Sequence, residues 1–212
     1  MTLNTFEQKL TDSFMLNEPI FTEELLKVFS DCSRAQVFRY VDVAKENNVL
    51  IQYDTGVYYM PSFFEYGLSS ISSDEVVIKK YIRNNDKVYG VYSGISLLNM
   101  FGVTTQMAGV VEIVTNKESS KRRTIKIKNR SYVVKKSRCQ ITSNNVFAYT
   151  VMELFNSIGL DEKISENTKS RIIKYLKDNK VEILQLANIA KIFPSKAVKN
   201  LMRSEVIYGL IQ

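Results

Sequence analysis

Apolar residues at helical spacing predict three helices at the start of the chain, at residues 5–14, 22–30 and 33–48. In the third helix the residues at helical spacing form one face, which is mostly apolar and extends as far as Asn48. Ser33 stands where an N-terminal cap accepts a hydrogen bond from the first helical turn. The chain therefore begins with a small helical cluster in which the second and third helices are separated by a tight turn.

The third helix is followed by a predicted β-hairpin. Two β-prone runs, at 49–53 and 57–60, flank the polar loop at 54–56, and a glycine in such a loop is typical of a hairpin. Helix, turn, helix and hairpin is the order of a winged helix-turn-helix, whose recognition helix lies in the DNA major groove and whose hairpin is the wing. The residues predicted to contact DNA lie at the start of this helix and at the wing tip: Ser33, Arg34, Gln36, Arg39, Tyr40 and Thr55.

Beyond the wing the pattern predicts a linker, a second domain and a helical end. Short apolar runs of strand and helix type alternate between residues 74 and 158, while amphipathic helical patterns fill the remainder. The fold class predicted is α+β, an N-terminal winged helix-turn-helix followed by a mixed α/β domain with a helical C-terminal extension. The predicted domains are a winged helix at 1–61, a linker at 62–73, the mixed α/β domain at 74–158 and the extension at 159–212.

Composition narrows the classes of function. The chain has no apolar run long enough to cross a bilayer and no apolar block at its N-terminus, so we expect a cytoplasmic protein without membrane contact. It contains no histidine, which removes the commonest general base and zinc ligand. Cys32 and Cys139 stand far apart and outside any metal-binding spacing. We therefore expect no metal, no cofactor and two reduced thiols.

The positive charge is concentrated in one segment. Residues 117–138 hold ten Lys and Arg residues against the single acid Glu118, whereas residues 1–60 carry a net charge of −4. Such a cluster on a β-hairpin predicts contacts to phosphate groups, with nucleic acid as the expected anion. The alternative is a solvated sheet face whose lysines protect an exposed strand edge. The residues predicted to contact phosphate are Arg122, Arg123, Lys126, Lys128 and Arg130.

One stretch resembles the start of a nucleotidyltransferase site. Ser93-Gly94 and Glu112 stand where such an enzyme has its glycine turn and its first carboxylate. The second carboxylate position is occupied by Val114, and one carboxylate cannot assemble a two-metal site. We therefore predict no catalytic residues and a protein that is not an enzyme.

Two sequence motifs carry a resemblance to a known family. The wing ending TGVYYMP and the segment YSGISLLNMFGVTTQMAGVVEIVTNK resemble the AbiEi-type antitoxins of bacterial abortive-infection systems, over roughly residues 20 to 157. The resemblance implies a type IV antitoxin, a transcriptional autorepressor that binds double-stranded DNA at inverted repeats upstream of its own operon. It also implies a nucleotidyltransferase toxin as functional partner, without a stable complex. The acidic residues 1–60 depart from the basic winged helix that this implies.

Two other functions remain open from the sequence. The chain could be a non-catalytic adaptor whose winged helix binds a protein partner and whose basic hairpin binds RNA or an acidic protein. An enzyme acting on nucleotides is disfavoured by the missing carboxylate and the absent histidine. Binding to duplex DNA of mixed sequence separates a nucleic-acid-binding protein from a pure protein adaptor.

Overall fold

The computed structural model describes residues 2–160 and 162–211, the last of these by its backbone alone. The protein is mixed α+β, as predicted. The chain divides into two compact units, the first ending at Lys79 and the second beginning at Lys80. The finer boundaries at residues 61, 73 and 158 stay predictions.

The first unit combines four helices with two small sheets among its described residues. Its elements in chain order are α1 Leu3–Ser13, β1 Ile20–Phe21, α2 Thr22–Val28, α3 Arg34–Glu46, β2 Ile51–Asp54, β3 Val57–Tyr59, β4 Phe63–Phe64, β5 Gly67–Leu68 and α4 Ser73–Val77. Strand β3 is central in a three-stranded sheet of order β1-β3-β2 and pairs antiparallel with both neighbours. Strand β1 has only two residues, too few to give a strand pattern in the sequence.

The three N-terminal helices pack around one apolar core. Phe6 and Leu10 from α1 and Val41 from α3 have no exposed surface, as their helical spacing predicted. Phe29, the residue that ends α2, stacks on Phe6 with ring centroids 4.4 Å apart. Burial of these side chains supplies most of what holds the short helices together, since helices of this length are marginal alone.

One prediction for the first unit needs correction. Helix α3 ends at Glu46, and Asn48 adopts a left-handed backbone with φ of 56°, exposed beyond the helix instead of on its apolar stripe. The stripe therefore ends at Ala44, whose carbonyl accepts a hydrogen bond from Val49 N–H at 2.9 Å. The segment predicted as a linker contains the β4–β5 hairpin, whose Phe63 and Tyr66 side chains are 76% and 96% exposed.

The second unit contains a four-stranded sheet and six helices among the residues described. A π-helical segment, Ile78–Ile82, leads into it from α4. Its elements are β6 Arg83–Asn84, β7 Lys87–Val88, β8 Gly90–Ser93, α5 Gly94–Met100, β9 Val111–Thr115, β10 Arg123–Ile127, β11 Arg130–Lys136, α6 Val146–Ser157, α7 Glu166–Asp178, α8 Ile183–Ala190, α9 Ser195–Arg203 and α10 Tyr208–Ile211.

The sheet has the order β10-β11-β9-β8, with β10 at one edge. Strands β9 and β11 run parallel, and the other two pairs are antiparallel. The predicted basic hairpin is therefore the β10–β11 edge of this sheet. Its turn lies at Lys128-Asn129, one residue earlier than the predicted 129–131, because Lys128 takes a left-handed backbone with φ of 48°.

Helix α6 is the centre of the second core. Tyr149 and Met152 have no exposed surface and belong to one apolar cluster with Val91 and Val114 of the sheet. Buried residues of α7, α8 and α9, such as Leu176, join the same cluster. The C-terminal helices therefore share their core with the sheet. None of the helices described here is both long and apolar enough to cross a membrane.

Candidate nucleic-acid interface

The start of α3 presents two arginines to solvent. Ser33 is the N-cap, and its Oγ accepts a hydrogen bond from Gln36 N–H at 3.3 Å. Arg34 and Arg39 are exposed, and the Arg34 guanidinium carbon lies 5.4 Å from the centroid of the Phe38 ring. A guanidinium held against an aromatic ring keeps its donors free for a second partner. The cap fixes where the helix begins, and so fixes the position of both arginines.

Tyr40, also predicted to contact DNA, belongs partly to the core. Its ring is half-buried and stacks on Phe6 with centroids 5.2 Å apart. Of the six predicted DNA-contacting residues, Ser33 and Tyr40 thus have structural roles in the first unit. The sequence did not distinguish these structural roles from DNA contact, because a capping serine and a half-buried tyrosine also occur at the start of exposed helices.

The predicted wing tip is a tight turn held against α2. Gly56 takes the left-handed backbone that this turn needs, with φ of 71°. Its carbonyl accepts hydrogen bonds from the backbone N–H of Thr22 at 3.0 Å and from the Thr22 hydroxyl at 3.3 Å. Thr55 is exposed, and its N–H donates to Asp54 Oδ1 at 2.7 Å. The hairpin is thereby fixed within the first unit with Thr55 at its tip.

The first unit as a whole is acidic. Up to residue 79 it holds six Lys and Arg residues and twelve Asp and Glu residues, a net charge of −6. On α3, Lys45 Nζ lies 2.8 Å from Asp42 Oδ1, so this cation is neutralised within the helix. Arg34 and Arg39 are thus the cations of α3 that form no ion pair with the described residues.

The second unit is strongly basic. From residue 80 onward it holds 23 Lys and Arg residues against 10 Asp and Glu residues, a net charge of +13. Lys126 at the sheet edge is exposed and makes no ion pair with the part of the chain that the structure describes. Lys128 and Arg130 are exposed around the hairpin turn, and the Arg130 guanidinium carbon lies 5.6 Å from the Tyr132 ring centroid.

The other two predicted phosphate contacts are held by carboxylates of the protein. Arg122 lies 3.2 Å from Glu112 Oε1, and Lys135 lies 2.5 Å from Glu112 Oε2. Arg123 lies 2.8 Å from Oε2 of Glu118, whose side chain is only 4% exposed. The Arg122 side chain remains exposed although it pairs with Glu112. The Arg123 guanidinium is held in its ion pair with Glu118.

Glu118 organises the loop that precedes β10. Its Oε1 accepts hydrogen bonds from the N–H groups of Ser119 at 3.0 Å and Ser120 at 2.9 Å. Burial by itself raises the pKa of this carboxyl, but the hydrogen bonds from Ser120 and Arg123 outweigh it and hold the pKa below its ordinary value of 4.5. Glu118 is thus a charged structural residue in the basic segment.

The strand, glycine turn, helix and strand considered for a nucleotidyltransferase are present as β8, Gly94, α5 and β9. Gly94 has φ of 60°, and a Cβ there would lie 2.9 Å from Glu112 Oε2. Glu112 faces Ser93 across the strand pair, but Arg122 and Lys135 already neutralise its charge. Over the residues that the structure describes, no three Cys, Asp or Glu side chains converge as a metal-ion site.

Sequence reasoning missed a second carboxylate beside this unit. Glu153 on α6 is 4% exposed, and its Oε1 accepts a hydrogen bond from Ser93 Oγ at 2.7 Å. Burial raises the pKa of Glu153, while Ser93 and the positive charges of Lys135 and Arg138 lower it in part. The available signal was a single acid inside the apolar run VFAYTVMELF.

Comparison with known proteins places most of the chain in one family. Residues 19–184 match the model of a family described as "Family of unknown function (DUF6088)". The matched segment contains α3, the β2–β3 hairpin and the basic hairpin, and it ends inside α8. No curated protein matches the chain.

Proposed function

We propose that this chain, which belongs to the family of unknown function DUF6088, is a DNA-binding transcriptional repressor whose first unit is a winged helix-turn-helix. The observation that carries the proposal is the exposed pair Arg34 and Arg39 at the start of α3, a helix that is followed in the chain by a hairpin with Thr55 at its tip. Three helices and a sheet of order β1-β3-β2 support a winged helix, with α3 as the recognition helix.

The division of charge assigns different tasks to the two units. Arg34 and Arg39 are the cations of α3 that have no ion pair in the described part of the chain. We assign sequence reading to them, since arginine recognises guanine by two hydrogen bonds in the major groove. The first unit is acidic overall and repels the phosphate backbone. The basic hairpin of the second unit supplies the compensating phosphate contacts, from Lys126, Lys128 and Arg130.

The resemblance to AbiEi-type antitoxins extends the proposal. On that basis the protein is the antitoxin of a type IV toxin–antitoxin operon, acts in the cytoplasm and represses its own operon at upstream inverted repeats. Its toxin is a nucleotidyltransferase with which it forms no stable complex. In this proposal the protein is not an enzyme, and the neutralisation of Glu112 by Arg122 and Lys135 agrees with that.

Fluorescence anisotropy tests the proposal. The purified chain is titrated into labelled duplex from immediately upstream of its own gene and into scrambled duplex of the same composition, across a salt series. A preference of about tenfold or more for the upstream duplex, or about 1.4 kcal/mol, is the expected result. Equal and strongly salt-dependent binding to both duplexes would remove the sequence-reading role of α3.

A second candidate function is favoured by specific observations on the first unit. Its net charge is −6, and its β4–β5 hairpin exposes Phe63, Phe64 and Tyr66. Exposed aromatic groups of this kind are common where proteins bind one another. A non-catalytic adaptor that binds protein, or RNA through the basic hairpin, is therefore the alternative. It predicts no binding to either duplex, or tighter binding to single-stranded RNA than to duplex DNA.

A further inference from the structure

The C-terminal helices of the second unit form an open apolar groove. It has a volume of about 350 Å³ and lies between α8 and α9, with Ile207 at one side. Leu186, Ala187 and Ala190 line it from α8, and Met202 is among the residues that line it from α9. On both helices the lining residues stand at positions i, i+3 and i+4, which share one helix face. Each wall is therefore a continuous apolar stripe.

The groove is accessible to a partner. Met202 is 63% exposed, and Ile183, at the start of the α8 wall, is 39% exposed. Ala187 is exposed at the wall's middle, and its small side chain leaves room for another backbone to approach closely. The eight residues of α8 span about 12 Å, which matches two turns of a partner helix. An apolar surface of this shape is typical of helix-in-groove recognition.

Positive charge predominates in the segment that forms the groove. Between residues 180 and 207 five Lys and Arg residues stand against Glu182 and Glu205. Two of these cations do not line the groove: Lys196 Nζ and Arg203 Nη1 donate hydrogen bonds to the carbonyls of Asn156 and Leu160. Lys191 itself lines the groove at the end of α8. Lys191 therefore attracts acidic groups to this end of the groove and repels basic ones.

We propose that this groove binds an amphipathic helix of a partner protein, whose apolar stripe fills the groove and whose flanking residues are acidic. The apolar walls select the stripe, and Lys191 at the end of the α8 wall selects the charge. The site lies almost entirely beyond residue 184, where the match to the family ends, so it is a property of this chain outside the matched segment. The proposal is independent of the nucleic-acid function, because it uses none of the residues assigned to DNA.

Synthetic helical peptides test the proposal on the full chain. The first probe is a fluorescein-labelled 18-residue peptide with leucine at positions i, i+3, i+4 and i+7 and glutamate at the flanking positions. The second has lysine at every glutamate position and the same leucine stripe. Measured by anisotropy at moderate salt, the acidic peptide is expected to bind at least about tenfold more tightly than the basic one.

Matched variants locate the binding. Ala187→Glu places a charge in the groove and is expected to weaken the acidic peptide by about tenfold or more. Leu184→Glu is the control, because Leu184 lies on the same helix, is 69% exposed and does not line the groove. Lys191→Glu should weaken the acidic peptide and strengthen the basic one, whereas Lys177→Glu on the exposed part of α7 should do neither.

Three results would overturn the proposal. Neither peptide binding, or both binding equally, would remove the charge selection. An Ala187→Glu variant that binds as well as Leu184→Glu would place any binding outside the groove. Self-association of the wild-type chain that Ala187→Glu abolishes and Leu184→Glu retains, seen by light scattering, would assign the groove to a second copy of this chain. Circular dichroism of each variant confirms that the helices are retained.

Discussion

The guanidinium of Arg123 lies 2.8 Å from Oε2 of Glu118, and only the arginine of this pair is open to solvent: its side chain is 53% exposed and that of Glu118 is 4% exposed. Because Glu118 also accepts the N–H groups of Ser119 and Ser120, the pair holds the loop in front of β10. A residue that the sequence assigned to phosphate contact is therefore also needed for local structure.

Arg123→Ala is expected to destabilise the protein, because it leaves the buried Glu118 carboxylate without its charged partner. The cost should be about 1–2 kcal/mol, below that of a fully buried pair since Arg123 is half exposed. Urea denaturation measures it. Lys126→Ala is the matched control on the same strand, and we expect no change beyond about 0.5 kcal/mol because Lys126 has no ion pair within the described residues. Equal stability of both variants would contradict a structural role for Arg123.

The same pair predicts a dependence on pH. The folded-state pKa of Glu118 is lowered from its ordinary value of 4.5, so the unfolded chain binds the proton more readily. The stabilisation is therefore complete above about pH 4.5 and is lost as the pH falls through the lower, folded-state pKa. The difference in unfolding free energy between wild type and Arg123→Ala should shrink in that acidic range. A difference that stays constant down to pH 3 would assign the effect of the variant to something other than the charge of Glu118.

Glu153 predicts the opposite dependence. Burial raises its folded-state pKa above the ordinary 4.5, so the folded protein binds the proton more readily and loses stability as the pH rises between those two values. Glu153→Gln keeps an oxygen that can accept the Ser93 hydroxyl and removes the buried charge. We expect the variant to lack this loss and to be more stable than wild type at neutral pH. Thermal unfolding across pH 4 to 8 measures it. A variant that is less stable at every pH would show that the positive charges of Lys135 and Arg138 more than offset the burial of Glu153.

The elements with a strong apolar period were predictable from the sequence. Helix α7, Glu166–Asp178, lies in the segment where amphipathic helices were predicted, and α3 begins immediately after its predicted cap Ser33. The shortest elements were not predicted. Strands β1, β4 and β5 have two residues each, which is too few for an alternating pattern to be recognised. The end of α3 was extended to Asn48 because sequence spacing does not reveal a left-handed cap.

The candidate interface was predictable in composition but not in pairing. The sequence located the cations of the basic hairpin and the arginines of α3. It could not say that Arg123 is bound to Glu118 or that Tyr40 stacks on Phe6, since these contacts join residues whose side-chain directions depend on packing. Glu153 was missed for the same reason, because its partner Ser93 lies 60 residues away.

The last prediction separates sequence reading from phosphate binding. Arg34→Ala and Arg39→Ala should each reduce the preference for upstream over scrambled duplex by about tenfold, because a bidentate base contact discriminates by about 1–3 kcal/mol. Lys126→Ala should instead weaken both duplexes alike and lower the slope of log K against log salt by about 0.9, as loss of one phosphate contact requires. Fluorescence anisotropy across a salt series measures both quantities.

Two controls remove the same charge elsewhere on the surface. Lys27→Ala on α2 matches the α3 variants and Lys177→Ala on α7 matches Lys126→Ala, since both lysines are exposed. If the α3 variants weaken both duplexes equally, then Arg34 and Arg39 contact phosphate and the sequence is read elsewhere. If only Lys126→Ala changes binding, the acidic first unit does not contact DNA, and the adaptor function, with an α3 that faces protein, becomes the better explanation.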